Sequence, residues 1–406
     1  MRNRPKLLAP VRDEISFTAA VAAGADAVYF GVGELNMRVS SKGINMEELP
    51  SIVARAHERG VEVFITLNVI VYEHELEKVR LIVQSLKDAN VDAVICWDFA
   101  VIKICQELGM TFHISTQASI SNSSAAEFYE GLGAKCVVLA RECTLPMIKE
   151  IKSKMKSTKV EIFVHGAMCV SVSGRCFMSN FLECKSANRG ECFQPCRREY
   201  TVHDKESGHE LDVSNGYVMS PKDLCTIEIL DEVVETGADY LKIEGRGRSP
   251  EYIKTTVACY RRGVDAVLAG KYTEELKDEL LEELKKVYNR GFSTGFMFGR
   301  PAQEAWSRVR NSQATEKKEY LGKVQNYYRK TNIAEIKVLN GELQVGDVLQ
   351  FQGPSTGVER ITVESFESHP DNEVTIKTDF VVRTSDEVYK IINNNPLRST
   401  SFEGQE

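Results

Sequence analysis

The feature that most restricts the fold is a loose repeat in the first two thirds of the chain. Six segments share one logic: GADAVYFG (24–31), GVEVFITLN (60–68), NVDAVICWD (90–98), GMTFHIST (109–116), GAKCVVLA (133–140) and GADYLKIEG (237–245). In each, a Gly or Asn ends a helix, one or two residues turn, and a short apolar strand follows. Gly suits that position because it reaches the left-handed conformation that closes a helix. KLLAP (6–10) and VEIFVHG (160–166) bring the count to eight strands. Between them, MEELPSIVARAHERG and EHELEKVRLIVQSLKDAN place apolar residues at helical spacing. Strands that are apolar throughout imply a parallel sheet covered on both faces. Eight βα units in about 270 residues predict an α/β fold, a TIM-like (β/α)8 barrel. A doubly wound open sheet is the alternative. It usually carries a glycine phosphate-binding fingerprint in its first turn, and LLAPVRDEI has none.

One insertion, residues 167–236, separates the seventh and eighth strands and holds a block of five of the chain's 11 cysteines within residues 169–196. Four of the five form a set, Cys169, Cys176, Cys192 and Cys196, spaced C-x6-C-x15-C-x3-C among Gly166, Gly174, Gly190 and Pro195. Cys184 is the spare. The other six cysteines lie in apolar or helical segments and read as small buried hydrophobes. The block follows strand seven, so it is expected on a βα loop at the face where such barrels carry their active sites. Structural zinc sites pair cysteines at C-x2–4-C, which fits Cys192 and Cys196 but not the wider first pair. Four thiolates on a glycine-rich loop favour an iron–sulfur cluster over zinc. YTVHDKESGHELDV (200–213) reads as a hairpin, and YVMSPKDLC leads into a helix.

The pattern changes near residues 300–320. VQNYYRK, IAEIKVL, DVLQFQG, ERITVESFE, EVTIKTD and EVYKII are short strands with polar turns. They predict a barrel domain over 1–310, a small antiparallel β-barrel over 320–392, and a disordered tail over 393–406. ELQVGDVLQFQG resembles the strand–turn–strand of translation-factor β-barrels, which fits either RNA contact or a packing module.

Polar residues just past each strand are the candidate site. They are Asn68, Asp98, Ser115, Thr116, Gln117, Arg141, Glu142, His165, Glu244, Arg246 and Arg248. Any one could be a structural hydrogen-bonder; together they make a polar ring that a merely structural barrel does not need. His165 reads either as a general acid/base or as a core histidine holding the loop. Glu244 is a second catalytic candidate. Asn68, Gln117 and Arg141 are candidates for substrate contact, and Arg246, Arg248 and Lys222 suit carboxylate or phosphate groups. The chain has no H-E-x-x-H and no thioredoxin-type C-x-x-C.

The net charge of −7 does not suggest a protein that coats nucleic acid, so an RNA substrate would need a local basic patch. Arg175, Lys185, Arg189, Arg197 and Arg198 crowd the cysteine block, partly offset by Glu183, Glu191 and Glu199. A solvated mixed-charge surface and a phosphate-binding face are both open readings. No run approaches the ~20 apolar residues that span a bilayer, and no signal peptide is read at the N-terminus, so a cytoplasmic protein is expected.

EIFVHGAMCVSVSGRCFMS closely resembles the signature of peptidase family U32, the collagenase-like proteases, and ANRGECFQPCRREY continues the match. So do NMR (36–38), ISTQASISN (114–122), SPKDLC (220–225), KIEGRGRSPEYI (242–253), YRR (260–262) and RGFSTGFMFG (290–299). The resemblance implies cluster ligands at Cys169, Cys176, Cys192 and Cys196 and a [4Fe-4S] cofactor; Cys184 departs from the family's pattern. Members named for collagenase activity stand beside members that hydroxylate tRNA wobble uridine, ribosomal RNA or the ubiquinone ring without oxygen. The chain looks most like the tRNA branch. That implies tRNA as partner, prephenate as a small carboxylate co-substrate, 5-hydroxyuridine as product, and a paralogous family member as protein partner. A collagenase-like peptidase and a non-catalytic cluster scaffold are the competing expectations.

Overall fold

The computed structural model describes residues 4–37, 43–211, 217–309 and 311–394. Seven strands precede the insertion: β1 (Lys6–Pro10), β2 (Ala27–Phe30), β3 (Glu62–Thr66), β4 (Ala93–Cys96), β5 (Phe112–Ile114), β6 (Cys136–Val138) and β7 (Lys159–Gly166). The insertion adds β8 (Val202–His203), β9 (Glu210–Leu211) and β10 (Asp223–Cys225) before β11 (Tyr240–Ile243) returns to the barrel. β1 to β7 pair in order, all parallel. β11 then pairs with β1 through Leu7↔Leu241 and with β7 through Leu241↔Ile162. That double pairing closes an eight-stranded parallel barrel and excludes the open sheet.

The repeat has a direct backbone cause. Its Gly and Asn residues all sit at positive φ, from 58° at Asn90 to 94° at Gly24. Helices fill the gaps: α1 (Glu14–Ala22), α2 (Leu49–His57), α3 (Leu76–Asp88), α4 (Phe99–Leu108), α5 (Ser123–Gly131) and α6 (Leu145–Lys154). Several start on side-chain caps, Asp13 for α1, Asp98 for α4, Asn122 for α5 and Thr144 for α6, each accepting from a backbone N–H that lacks a helical partner. Strand residues alternate between two cores. Leu7, Val28, Val63 and Val94 face outward to helix residues such as Ile52 and Val257. Leu8, Ala27, Tyr29, Phe64, Ala93, Ile95, Cys136 and Tyr240 form a separate inner cluster.

The cysteine-bearing part of the insertion is mostly irregular, with the short helix α7 (Met178–Glu183), and the expected hairpin β8–β9 follows it. β10 runs antiparallel to the end of β7, pairing Cys225 with His165, and β12 (Phe292–Ser293) extends it. α8 (Leu230–Glu235), α9 (Pro250–Leu268) and α10 (Glu274–Lys286) complete the outer layer.

Strands β13 (Glu316–Tyr328), β14 (Ile333–Val338), β15 (Val348–Gly353), β16 (Gly357–Thr362), β17 (Glu367–His369), β18 (Glu373–Lys377) and β19 (Glu387–Asn393) make a seven-stranded antiparallel sheet. It curls around one core that includes Leu321, Ile336, Phe351, Ile376 and Val388. Its two outer strands, β16 and β17, do not pair with each other among the described residues. This sheet sits on the barrel's side. Lys254 pairs with Glu359 at 2.8 Å, Lys318 with Glu251 at 3.1 Å, and Gly357 lies so close to α1 that a Cβ there would meet Thr18 and Ala19 at about 3.1–3.2 Å. Residues 395–406, most of the expected tail, lie outside the described residues.

Candidate active site at the barrel mouth

The C-terminal ends of the barrel strands open into a cavity of about 250 Å3, roofed by the insertion. Cys169, Cys176, Cys192 and Cys196 all line it; Cys184 does not. The loop that carries them is wound tightly, with Ser173, Cys184 and Gln194 at positive φ, which non-glycine residues rarely adopt. It is stapled down from several sides. Arg189 makes a two-pronged contact with Glu75, at 2.5 and 2.8 Å. Arg175 donates to Ser119 at 3.0 Å, and Arg197 donates to Ser220 and to the carbonyls of Pro221 and Met168. Three of the five basic residues around the block are thus anchors. Arg198 and Lys185 point outward and pair with Glu183 and Glu191.

The Cys196 thiol senses the other three. Burial pushes the Cys196 thiol up from its ordinary value, the Arg197 guanidinium pulls it back, and Cys169, Cys192 and Cys176 add to the upward push. The Met178 N–H points at the Cys176 sulfur at 3.4 Å, and the Cys169 sulfur lies 2.9 Å from the Ser171 hydroxyl. Among the described residues, His113, Cys136 and Glu161 have ligand atoms mutually within 4.8 Å, a spacing that no three thiols of the block meet.

That buried trio lies inside the barrel, below the cavity, and its surroundings oppose a metal cation. Lys242 Nζ is 2.6 Å from Glu161 Oε1. Burial, then Lys242 and Lys159, hold the His113 pKa down at about 3. The barrel interior is therefore polar on the β5–β7–β11 side, where the sequence reading treats the strands as apolar throughout. Lys242 itself lines the cavity floor, over the Tyr29 ring at 4.3 Å. It was not among the sequence candidates, although a lone Lys in the apolar run YLKI and a lone Glu in VEIF are the signal for it.

Asn68, Gln117, Arg141, Glu142, Glu244 and Arg246 also line the cavity, with Ser115 and Thr116. Arg246 donates to Thr66 Oγ1 at 2.6 Å, and Arg141 donates to the Ala167 carbonyl at 2.6 Å while lying 4.0 Å from the Phe163 ring centroid. Glu244 has the Tyr29 hydroxyl 3.4 Å away, and burial followed by the Glu244 charge pushes that hydroxyl's pKa well up. Its backbone is fixed by a hydrogen bond from Glu244 N to the His165 carbonyl, next to a register shift between Lys242 and Ile243.

Four candidates lie outside the cavity wall. His165 is 1 % exposed, ringed by Tyr252, Tyr260 and Phe292, with the Tyr260 hydroxyl 3.4 Å from Nδ1. Burial, then the Arg248 charge, lowers its pKa to about 3. Arg248 stacks on Tyr288, 3.6 Å from the ring centroid. Lys222 runs past Gly291, its backbone bonded to the Ala305 carbonyl. Asp98 caps α4.

The family model described as peptidase family U32 matches residues 14–307. The chain is 38 % identical to a protein named "Collagenase" from Porphyromonas gingivalis, over 96 % of this chain and 98 % of that one. It is 34 % identical to the "tRNA hydroxylation protein P1" of Bacillus subtilis, over 92 % of this chain and 89 % of the relative. A 5-hydroxycytidine synthase of 23S rRNA from Escherichia coli is 32 % identical over 73 % of this chain and 46 % of its own length. With these matches spanning barrel and cysteine block alike, the chain belongs to peptidase family U32.

Proposed function

We propose that the chain is an iron–sulfur-dependent RNA-modifying enzyme that hydroxylates the wobble uridine of tRNA to 5-hydroxyuridine, with a small carboxylate such as prephenate as co-substrate. The carrying observation is the convergence of Cys169, Cys176, Cys192 and Cys196 on one cavity at the barrel mouth. Four thiolates on a glycine-rich loop at the barrel mouth favour a cluster over zinc. A cluster held by the four thiolates would supply the redox and donor-activating chemistry.

The chain's own residues bind and orient. Arg141, Arg246 and Lys242 present three cations to the cavity, fitting a donor with carboxylate groups. Glu244 is the proton carrier at the cavity wall. His165 is a positioning residue that holds the base of the loop, since its buried ring faces aromatic neighbours and not the cavity. Names of relatives support both tRNA and rRNA hydroxylation, and the tRNA-named relative is matched over 92 % of this chain.

Peptidase activity is the second reading, favoured by the collagenase-named relative. Against it, the cavity wall among the described residues contains no histidine to activate a Ser- or Cys-type nucleophile. Nucleoside mass spectrometry of tRNA from a strain lacking the gene tests the proposal: loss of 5-hydroxyuridine supports it, and unchanged levels, with paralogues also deleted, overturn it.

A further inference from the structure

A second groove, of about 360 Å3, adjoins the cavity and shares Cys192 with it. Arg197, Arg198, Arg290, Tyr288 and Phe193 form its walls. Arg248 and Arg290 both lie against the Tyr288 ring, at 3.6 and 5.2 Å from its centroid. Four guanidiniums therefore gather around the groove. The carboxylates that meet them are Asp223, 3.5 Å from Arg290, and Glu183, 2.7 Å from Arg198. Arg290 is 5 % exposed, and its Nε has no hydrogen-bond partner.

Such a site calls for an anion, and guanidiniums match phosphate by geometry as well as charge. The neighbouring surface calls for something flat. Phe193 is 54 % exposed on the residue after Cys192, and Phe177 and Phe181 stand exposed nearby on the same insertion. A cationic groove beside exposed aromatic rings is the arrangement that holds single-stranded nucleic acid, with phosphates on the arginines and bases on the rings. Enzymes that act on a base take it out of the stack and into a pocket.

We propose that this groove seats the phosphodiester adjoining the reacting nucleotide of an unpaired RNA loop. Phe193 stacks on the neighbouring base, and the target base passes Cys192 into the cavity. The proposal rests on the RNA reading above and adds the surface that would carry it.

The test is fluorescence anisotropy with the whole purified protein, over a series of salt concentrations. The probes are a labelled RNA stem-loop with unpaired uridines and a blunt duplex of the same stem. The variants are Arg198→Ala and Phe193→Ala, both exposed side chains, with circular dichroism melts checking the fold. The expected result is tighter binding of the stem-loop than of the duplex. Arg198→Ala should weaken both and lower the salt slope by about one. Phe193→Ala should weaken stem-loop binding about five- to a hundredfold and leave the duplex unchanged. Stem-loop binding that both variants retain at full strength overturns the inference alone and gives the surface to a protein partner. Displacement of the stem-loop by low concentrations of inorganic phosphate overturns it in favour of a free anion. A wild-type protein that binds neither RNA overturns the RNA reading itself.

Discussion

Lys242 and Glu161 form an ion pair inside the barrel, Nζ to Oε1 at 2.6 Å, with side chains 5 % and 0 % exposed. The pair joins β11 to β7, the two strands between which the chain leaves the barrel for the insertion, and sets a cation at the cavity floor. Taking one partner away strands the other charge where water cannot reach it. Lys242→Met alone should cost roughly 3–5 kcal/mol of stability by urea denaturation. The double variant Lys242→Met/Glu161→Leu should recover most of that while losing donor binding. Equal destabilisation by single and double variants would contradict the pairing.

The two buried histidines set the acid limit. His165 and His113 both titrate near 3 in the folded chain, held down first by burial and then by neighbouring cations. An unfolded histidine titrates near 6.5. Below about pH 6.5 the unfolded chain therefore takes up protons that the folded chain refuses, and stability falls with pH down to about 3. The slope is up to about 1.4 kcal/mol per pH unit for each histidine. His165→Gln should flatten this limb in denaturation curves between pH 6 and 4. An unchanged slope would show that His165 is already charged or solvated.

Gly166, the last residue of β7, takes φ +108°, and a Cβ there would lie 2.3 Å from the Glu244 carbonyl oxygen. Gly166→Ala must push β7 and the Glu244 turn apart. A loss of more than about 1 kcal/mol in stability is expected, with activity falling further because Glu244 moves. A fully active, equally stable variant would remove Glu244 from the site.

Among the cysteines, spacing and placement divide four from one. Cys169→Ser, Cys176→Ser, Cys192→Ser and Cys196→Ser should each abolish or sharply reduce iron and sulfide content after anaerobic purification. Cys184→Ser should keep full content and visible absorption, because Cys184 is exposed at the C-terminal end of α7, away from the cavity. Stoichiometric zinc in a colourless protein would contradict the cluster.

Much of this was legible in the residues because the repeat is local. Each Gly or Asn at positive φ ends a helix by itself, so six of the eight barrel strands can be read one at a time. The cysteine set was legible because a loop after a core strand has one place to go in a barrel. What was not legible is what depends on side-chain direction across the barrel. Lys242 faces in, to Glu161, though 81 residues separate them, while Arg248, two residues past Arg246, turns out onto Tyr288. His165 ends the right strand but pairs with β10 and faces the aromatic residues of α9, a consequence of the antiparallel strand that the insertion brings back.

The central claim is RNA hydroxylation carried by the cysteine cavity. Its most direct measurement is 5-hydroxyuridine in total tRNA, by nucleoside mass spectrometry, in a strain lacking this gene and its paralogues. The account predicts that the nucleoside disappears on deletion, returns with the wild-type or Cys184→Ser chain, and does not return with Cys192→Ser. Undiminished 5-hydroxyuridine in the deletion strain, or full restoration by Cys192→Ser, would contradict it.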